Sequence, residues 1–186
     1  HPTDFIHYLH ERLRQPLPGS DAHVRMAPRT ADGYRRPPNL HPPPNARKSG
    51  VLASFFERPD DGELSLILTL RTSKLKKHGG QLSFPGGGLD KGETWEDAAL
   101  REAHEEVNLA PDNVAVVGHS SRLYIPPSNN IVQPVVGWVE DLPELQPEPS
   151  EVEEVIELPF CDLLDSCYLK HMPRVIRGHD FEVPYW

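Results

Sequence analysis

The stretch "GGGLDKGETWEDAALREAHEEVNL", Gly86 to Leu109, decides how the rest of the chain is read. Thr94 followed by Asp97 is a capping-box start, in which each residue's side chain satisfies the other's backbone N–H. From Trp95 to Val107 there is no Gly or Pro and many strong helix formers, so a helix is expected there. At ~100° per residue, Glu102, Glu105 and Glu106 share an arc of about 100°. Ala99, Leu100, Ala103 and Val107 form an adjacent apolar stripe suited to packing on a sheet. Like charges at this spacing cost only about 0.2–0.5 kcal/mol per pair on an exposed helix, so an acidic face in water is tolerable. Two features raise this one above that reading. The glycine run before the helix lets a backbone carbonyl approach whatever the acids hold, and Arg101 can pair with Glu93 and pin the loop to the helix. Clustered carboxylate and carbonyl oxygens suit Mg²⁺ or Mn²⁺, which fill their remaining positions with water and phosphate oxygens.

The rest of the composition narrows the class. At 186 residues the chain can form one domain with a real core, plus an appendage. No long apolar run occurs, which excludes a membrane-spanning helix, and no signal-peptide pattern precedes the first helix. Cys161 and Cys167 lack metal-finger spacing and are too few for a disulfide framework, which suits free thiols in a reducing cytoplasm. A net charge of −9 argues against nucleic acid as a partner. The charge is uneven. Residues 140–157 carry eight acids and no base, whereas "RTSKLKKH" (Arg71 to His78) carries four bases and a histidine. A basic segment just before a carboxylate cluster suits a phosphate-bearing ligand that also binds a cation; the plainer reading is a solvated loop.

"DFIHYLHERLRQ" places Phe5, Ile6, Leu9 and Leu13 at helical spacing. Eight prolines between Pro16 and Pro44 then argue for an extended arm with no regular element. The compact domain is expected from Val51, giving residues 1–50 as helix and arm and 51–186 as the domain. "VLASFF", "ELSLILTL", "NVAVVG", "IVQPVVGWVE" and "EVEEVIEL" read as strands. Leu64, Leu66, Leu68 and Leu70 alternate with Ile67 opposite them, which indicates burial on both faces. Strands on both sides of a central helix point to an α/β fold with a mixed sheet and helices packed on it. Trp95, Trp138 and Trp186 read as core or interface residues and His104 as solvated or structural.

Gly87, five residues, Glu93, seven residues, then Arg101-Glu102-Ala103-His104-Glu105-Glu106 and Leu109 resembles the Nudix box, G-x5-E-x7-R-E-U-x-E-E-x-G-U, where U is aliphatic. Every charged position agrees. Asn108 replaces a Gly, and Asn tolerates positive φ at a helix end. The resemblance implies a Nudix fold, an α/β/α sandwich with a mixed β-sheet, and hydrolysis of a nucleoside diphosphate linked to another moiety. It implies Glu102, Glu105 and Glu106 as metal ligands, with the Gly86 carbonyl as a further one and Mg²⁺ or Mn²⁺ as the cofactor. Arg101 and Glu93 are then the supporting ion pair. Glu105 is the expected base, with Glu154, and after it Glu151, as a carboxylate contributed from the later strand.

"LTLRTSKLKKHGGQLSFPGG", Leu68 to Gly87, is similar to the extension of the coenzyme A pyrophosphatase branch, as are "YIPPSNNIVQPVVG" and the opening "RLRQPLPG…MAP". Lys76 stands where that branch has Arg, and Gly88 where a Lys or Arg is common. The implied substrate is coenzyme A or a thioester, cleaved to 4′-phosphopantetheine and adenosine 3′,5′-bisphosphate. Arg71, Lys74, Lys76 and Lys77 are candidates to grip its phosphates, including the 3′-phosphate that distinguishes coenzyme A from other adenosine diphosphates; Gln81 is a candidate for binding or, with His78, for shaping the loop under the site. ADP-ribose or a dinucleoside polyphosphate is the alternative substrate, and a silent nucleotide-binding domain the alternative from another class. A homodimer is expected; members of this branch usually continue past the point matching "VPYW" with another strand and helix, and the expectation for a chain stopping at Trp186 is that this terminal element is absent or disordered.

Overall fold

A computed structural model describes residues 2–30, 41–73, 79–176 and 178–185. The N-terminal part is helix α1 (Pro2–Leu13), then a single turn of helix, α2 (Ser20–His23). A regular element therefore does occur in the arm, in the proline-free "SDAH" between Pro18 and Pro28, where every residue can donate its N–H. The sheet opens with β1 (Arg47–Glu57), four residues before the change of composition at Val51, and continues with β2 (Leu64–Arg71), β3 (Leu82–Ser83) and β4 (Gly86–Gly88). Helix α3 (Trp95–Val107) follows, then β5 (Ala115–His119), β6 (Leu123–Ile125), β7 (Asn130–Val139) and β8 (Val152–Pro159). The chain ends in a short helix α4 (Phe160–Leu164) and the strands β9 (Lys170–Ile176) and β10 (His179–Tyr185).

Eight strands form one mixed sheet with the path β3-β2-β1-β7-β5; β4 pairs with β1, β6 with β7 and β8 with β2. Strands β1 and β7 are parallel over ten residue pairs and the other pairs are antiparallel. The parallel pair lies at the centre, where both faces are covered, and its strands are correspondingly apolar on both sides. On one face Leu52, Ile67, Val135 and Val139 pack against Ala99, Ala103 and Val107 of α3. On the other, Phe55, Leu66, Val136 and Trp138 meet Phe5, Ile6, Leu9 and Leu13 of α1 and Phe160 and Leu163 of α4. Phe5, Phe55 and Phe160 form an aromatic cluster with ring centroids 5.1–5.8 Å apart. This is the α/β/α sandwich expected, with the apolar side of α1 built into the same core. Strands β9 and β10 form a separate hairpin that sequence reading did not anticipate. It is joined to the N-terminal segment by reciprocal backbone bonds between Arg29 and Glu182 (3.0 and 2.8 Å). No helix among the described residues is long and apolar enough to cross a membrane.

Local chemistry sets both ends of α3. Thr94 Oγ1 accepts from the Asp97 N–H (3.1 Å), and the Asp97 carboxylate accepts from the Thr94 N–H (2.9 Å). At the other end Asn108 takes φ 59°, so its N–H and that of Leu109 turn back to the His104 and Ala103 carbonyls. Thr94→Ala should cost about 1 kcal/mol of stability. The expected reading is a lower urea midpoint at an unchanged slope.

Candidate active site

Strand β4 and α3 place their polar groups against each other. Gly87 sits where an added Cβ would overlap the Glu102 carboxylate, and a Cβ at Gly86, whose φ is 155°, would strike the Gly50 carbonyl. Only glycine lets the Glu102 carboxylate rest directly on the loop.

Arg101 organises the outer half of the site. Its Nε donates to Glu93 Oε1 (2.7 Å) and Nη2 to Glu93 Oε2 (3.2 Å). Nη1 donates to Glu102 and to Glu105 (both 3.0 Å), and Nη2 also to the Gly88 carbonyl (3.0 Å). One guanidinium thus ties three carboxylates and the glycine loop together, and Glu93 adds a bond from the Asp90 N–H (2.7 Å). The Arg101 partnership holds the Glu93 carboxyl below the ordinary range, and these contacts hold Arg101 firmly protonated.

The inner half centres on Glu106, only 2% exposed. Its Oε1 accepts from Arg71 Nη1 and its Oε2 from the Gly86 N–H, both at 3.0 Å. Burial nevertheless raises its pKa to about 7, because two partners do not replace the lost hydration. Burial also raises Glu102, against the pull of Arg101, and the Glu105 and Glu151 charges add to the rise. Four carboxylates therefore sense one another here. A carboxyl that stays protonated up to about pH 7 in the fold, but ionises at its ordinary 4.5 when unfolded, makes the folded state bind more protons in between. Stability supplied by protonated Glu106 is complete below about pH 4.5 and lost as pH rises to about 7. Metal-free protein should therefore need less urea to unfold at pH 7.5 than at pH 5.5, and Glu106→Gln should flatten the difference.

The later strand departs from expectation. Glu154 pairs in register with Leu70, whose face of β2 carries Leu66 and points to α1 and α4, whereas Ile67 and Arg71 point to α3. Cross-strand partners share a face, so Glu154 lies on the side of the sheet away from the α3 glutamates, exposed and without an ion pair among the described residues. Glu151 is the acid brought to the site. It lies 3.8 Å from Arg71, and its carbonyl accepts from the Thr72 N–H. A register shift between Leu70 and Arg71 separates the two outcomes. Gln81 is exposed, and its carbonyl accepts from the Arg71 N–H (3.0 Å). Lys74, Lys76, Lys77 and His78 lie outside the described residues.

Among the described residues, no three carboxylate, imidazole or thiol groups converge at ligand distance as placed; Arg101 and Arg71 supply the countercharge instead. The donor chemistry fits a hard divalent cation. Several carboxylates meet beside a glycine loop, and one of them is buried at an energetic cost that a second positive charge would relieve.

This combination of sandwich, glycine loop and arginine-tied glutamate helix is a family architecture. A model described as the NUDIX domain matches residues 47–177, and the chain belongs to the Nudix family. It is 38% identical over 129 residues to NudL, an uncharacterized Nudix hydrolase of Pectobacterium atrosepticum, an alignment spanning 67% of this chain and 63% of that protein. It is 40% identical over 138 residues to the peroxisomal coenzyme A diphosphatase NUDT7 of Mus musculus, spanning 74% of this chain and 57% of the mouse protein. These alignments thus cover less than two thirds of either relative's own length. This likeness agrees with the resemblance of Leu68 to Gly87 to the coenzyme A pyrophosphatase branch. Among solved structures, a Caenorhabditis elegans Ap4A hydrolase superposes with TM-score 0.54 at 19% identity, covering 63% of this chain and 83% of that one. The Nudix hydrolase RenU of Mycobacterium smegmatis gives 0.51 at 20% identity, covering 74% and 81%. At these identities the superpositions show the fold alone.

Proposed function

We propose that the chain hydrolyses the diphosphate of coenzyme A or its thioesters to 4′-phosphopantetheine and adenosine 3′,5′-bisphosphate, using Mg²⁺ or Mn²⁺. The observation that carries this is the buried, doubly held Glu106 beside Glu102 and Glu105 on a helix abutting a glycine loop. The likeness to the mouse coenzyme A diphosphatase supports the substrate. Glu102, Glu105 and Glu106, with the Gly86 carbonyl, are the groups that would hold the cation. When bound, such an ion neutralises diphosphate oxygens and lowers the pKa of the attacking water. Glu105 is suited to take that water's proton. It is the most exposed of the three, and its Oε1 makes no hydrogen bond among the described residues, while Arg101 holds Oε2. Glu151 is the nearest alternative base. Arg71, which bonds Glu106, would meet phosphate oxygens once a cation takes its place there. A cytoplasmic homodimer belongs to the same proposal, and sedimentation equilibrium tests its stoichiometry.

A hydrolysis panel decides the reading. Coenzyme A, ADP-ribose, NADH and dinucleoside polyphosphates are each incubated with Mg²⁺ or Mn²⁺ in H₂¹⁸O, and the products are weighed by mass spectrometry. The expected result is the highest kcat/KM for coenzyme A, one ¹⁸O in a phosphomonoester product, and no turnover with chelator. Faster cleavage of ADP-ribose or of a dinucleoside polyphosphate would overturn the substrate assignment.

A further inference from the structure

A second polar cluster lies beyond the glycine loop, at the opposite end of α3 from the glutamates. Trp95, the first residue of the helix, carries two cations over its ring: the Arg122 guanidinium carbon is 5.1 Å from the ring centroid and Lys48 Nζ is 5.9 Å from it. In a chain of net charge −9, neither has a carboxylate within ion-pair distance among the described residues. The acid next to the ring, Glu96, is taken by His119 (2.8 Å). Arg122 is also aimed. Its Nε donates to Gln133 Oε1 (2.9 Å), and Gln133, 4% exposed, is itself fixed by donating to the Ser120 and Pro134 carbonyls (2.8 and 3.0 Å). Its Nη1 and Nη2 make no hydrogen bond among the described residues, and the Arg122 and Lys48 side chains are exposed.

A buried amide that orients an exposed guanidinium leaves its two terminal nitrogens, which bond no protein group among the described residues, available to a phosphate. The cluster is tied to the glycine loop. The Lys48 carbonyl accepts from the Leu89 N–H (3.1 Å), and Gly50, two residues on, pairs with Gly87, on which Glu102 rests. Along the axis of α3, Trp95 lies about 10 Å from Glu102 and about 17 Å from Glu106, a separation that a ribose and its diphosphate together span. We infer that Arg122 and Lys48, on the Trp95 ring, bind a phosphomonoester carried on the substrate's ribose, while the α3 glutamates act on its diphosphate. This rests on the proposed function and names the group by which coenzyme A would be told from other adenosine diphosphates.

The test separates binding from turnover. Calorimetry is run with adenosine 3′,5′-bisphosphate, AMP and inorganic phosphate on the wild-type chain, on Lys48→Met and on Lys48→Met/Arg122→Met. The wild type should bind the bisphosphate about 10- to 100-fold more tightly than AMP. The double variant should bind both alike, with Lys48→Met intermediate and sufficient for a decision if the double variant does not fold. In kinetics, the KM for coenzyme A should rise by the same factor, with kcat and the values for dephospho-coenzyme A unchanged. Equal affinity for bisphosphate and AMP in the wild type, variants that keep the preference, or inorganic phosphate binding as tightly as the bisphosphate would each overturn the assignment. If neither coenzyme is hydrolysed but the binding preference and its loss are seen, the proposed reaction fails and this site stands.

Discussion

Glu106→Gln should lower kcat at least a thousandfold while the chain still folds. A metal-held diphosphate gains several kcal/mol of transition-state stabilisation, and about 4 kcal/mol corresponds to a factor of about a thousand. The structural cost is smaller and has a definite origin. Glu106 offers one oxygen to Arg71 and one to the Gly86 N–H. A Gln has only one oxygen, so in either flip its NH₂ faces a donor, at a cost of about 1–3 kcal/mol. Against that stands the relief of burying a neutral amide in place of a carboxylate whose pKa burial has raised to about 7. Steady-state kinetics with circular dichroism on the same samples check both parts. A kcat within tenfold of wild type would remove Glu106 from the site's chemistry.

Arg101→Met should lower kcat/KM about a hundredfold and lower the melting temperature as well. Removing this one side chain leaves Glu93, Glu102 and Glu105 facing each other and frees the Gly88 carbonyl, so the loop loses its hold on α3. Breaking a buried ion pair costs about 3–5 kcal/mol; Arg101 is partly exposed, so about 2 kcal/mol is expected, together with a loop no longer set for catalysis. Arg101→Lys should recover part of the stability and little of the activity, since a single ammonium cannot span the same acceptors. Activity of the Met variant close to wild type would show that the loop is held by other means.

The parts legible in the sequence were those governed by short-range chemistry. Helix α3 announced both of its ends, through Thr94 with Asp97 and through Asn108, because caps are set by residues a few positions apart. The pairing of Arg101 with Glu93 was readable from the eight-residue spacing that brings a loop back to a helix turn. Burial of β2 on both faces was readable from Ile67 set against its leucines. What stayed hidden depends on register and on contacts between distant segments. Nothing local distinguishes Glu151 from Glu154; the shift between Leu70 and Arg71 does so, and it exists only once β2 and β8 pair. Arg71 at Glu106 and Arg122 over Trp95 join residues 35 and 27 positions apart across the fold. Nothing in the acid-rich stretch 140–157 announced its packing role. In the fold its backbone N–H groups at Gln146 and Glu148 cap the Val107 and Glu106 carbonyls at the end of α3, and Leu142 and Leu145 join the core. The β9–β10 hairpin escaped notice because its strands carry Pro173 and Pro184 and mostly exposed side chains, so apolar alternation is weak.

The proposed chemistry requires the acids of α3 to gather around a divalent ion. Mn²⁺ titrated into wild-type protein and followed by electron paramagnetic resonance tests that most directly. Saturable uptake that vanishes in Glu106→Gln, and is displaced by Mg²⁺, is the predicted result. Free-ion signal throughout the titration, or uptake identical in the variant, would contradict it.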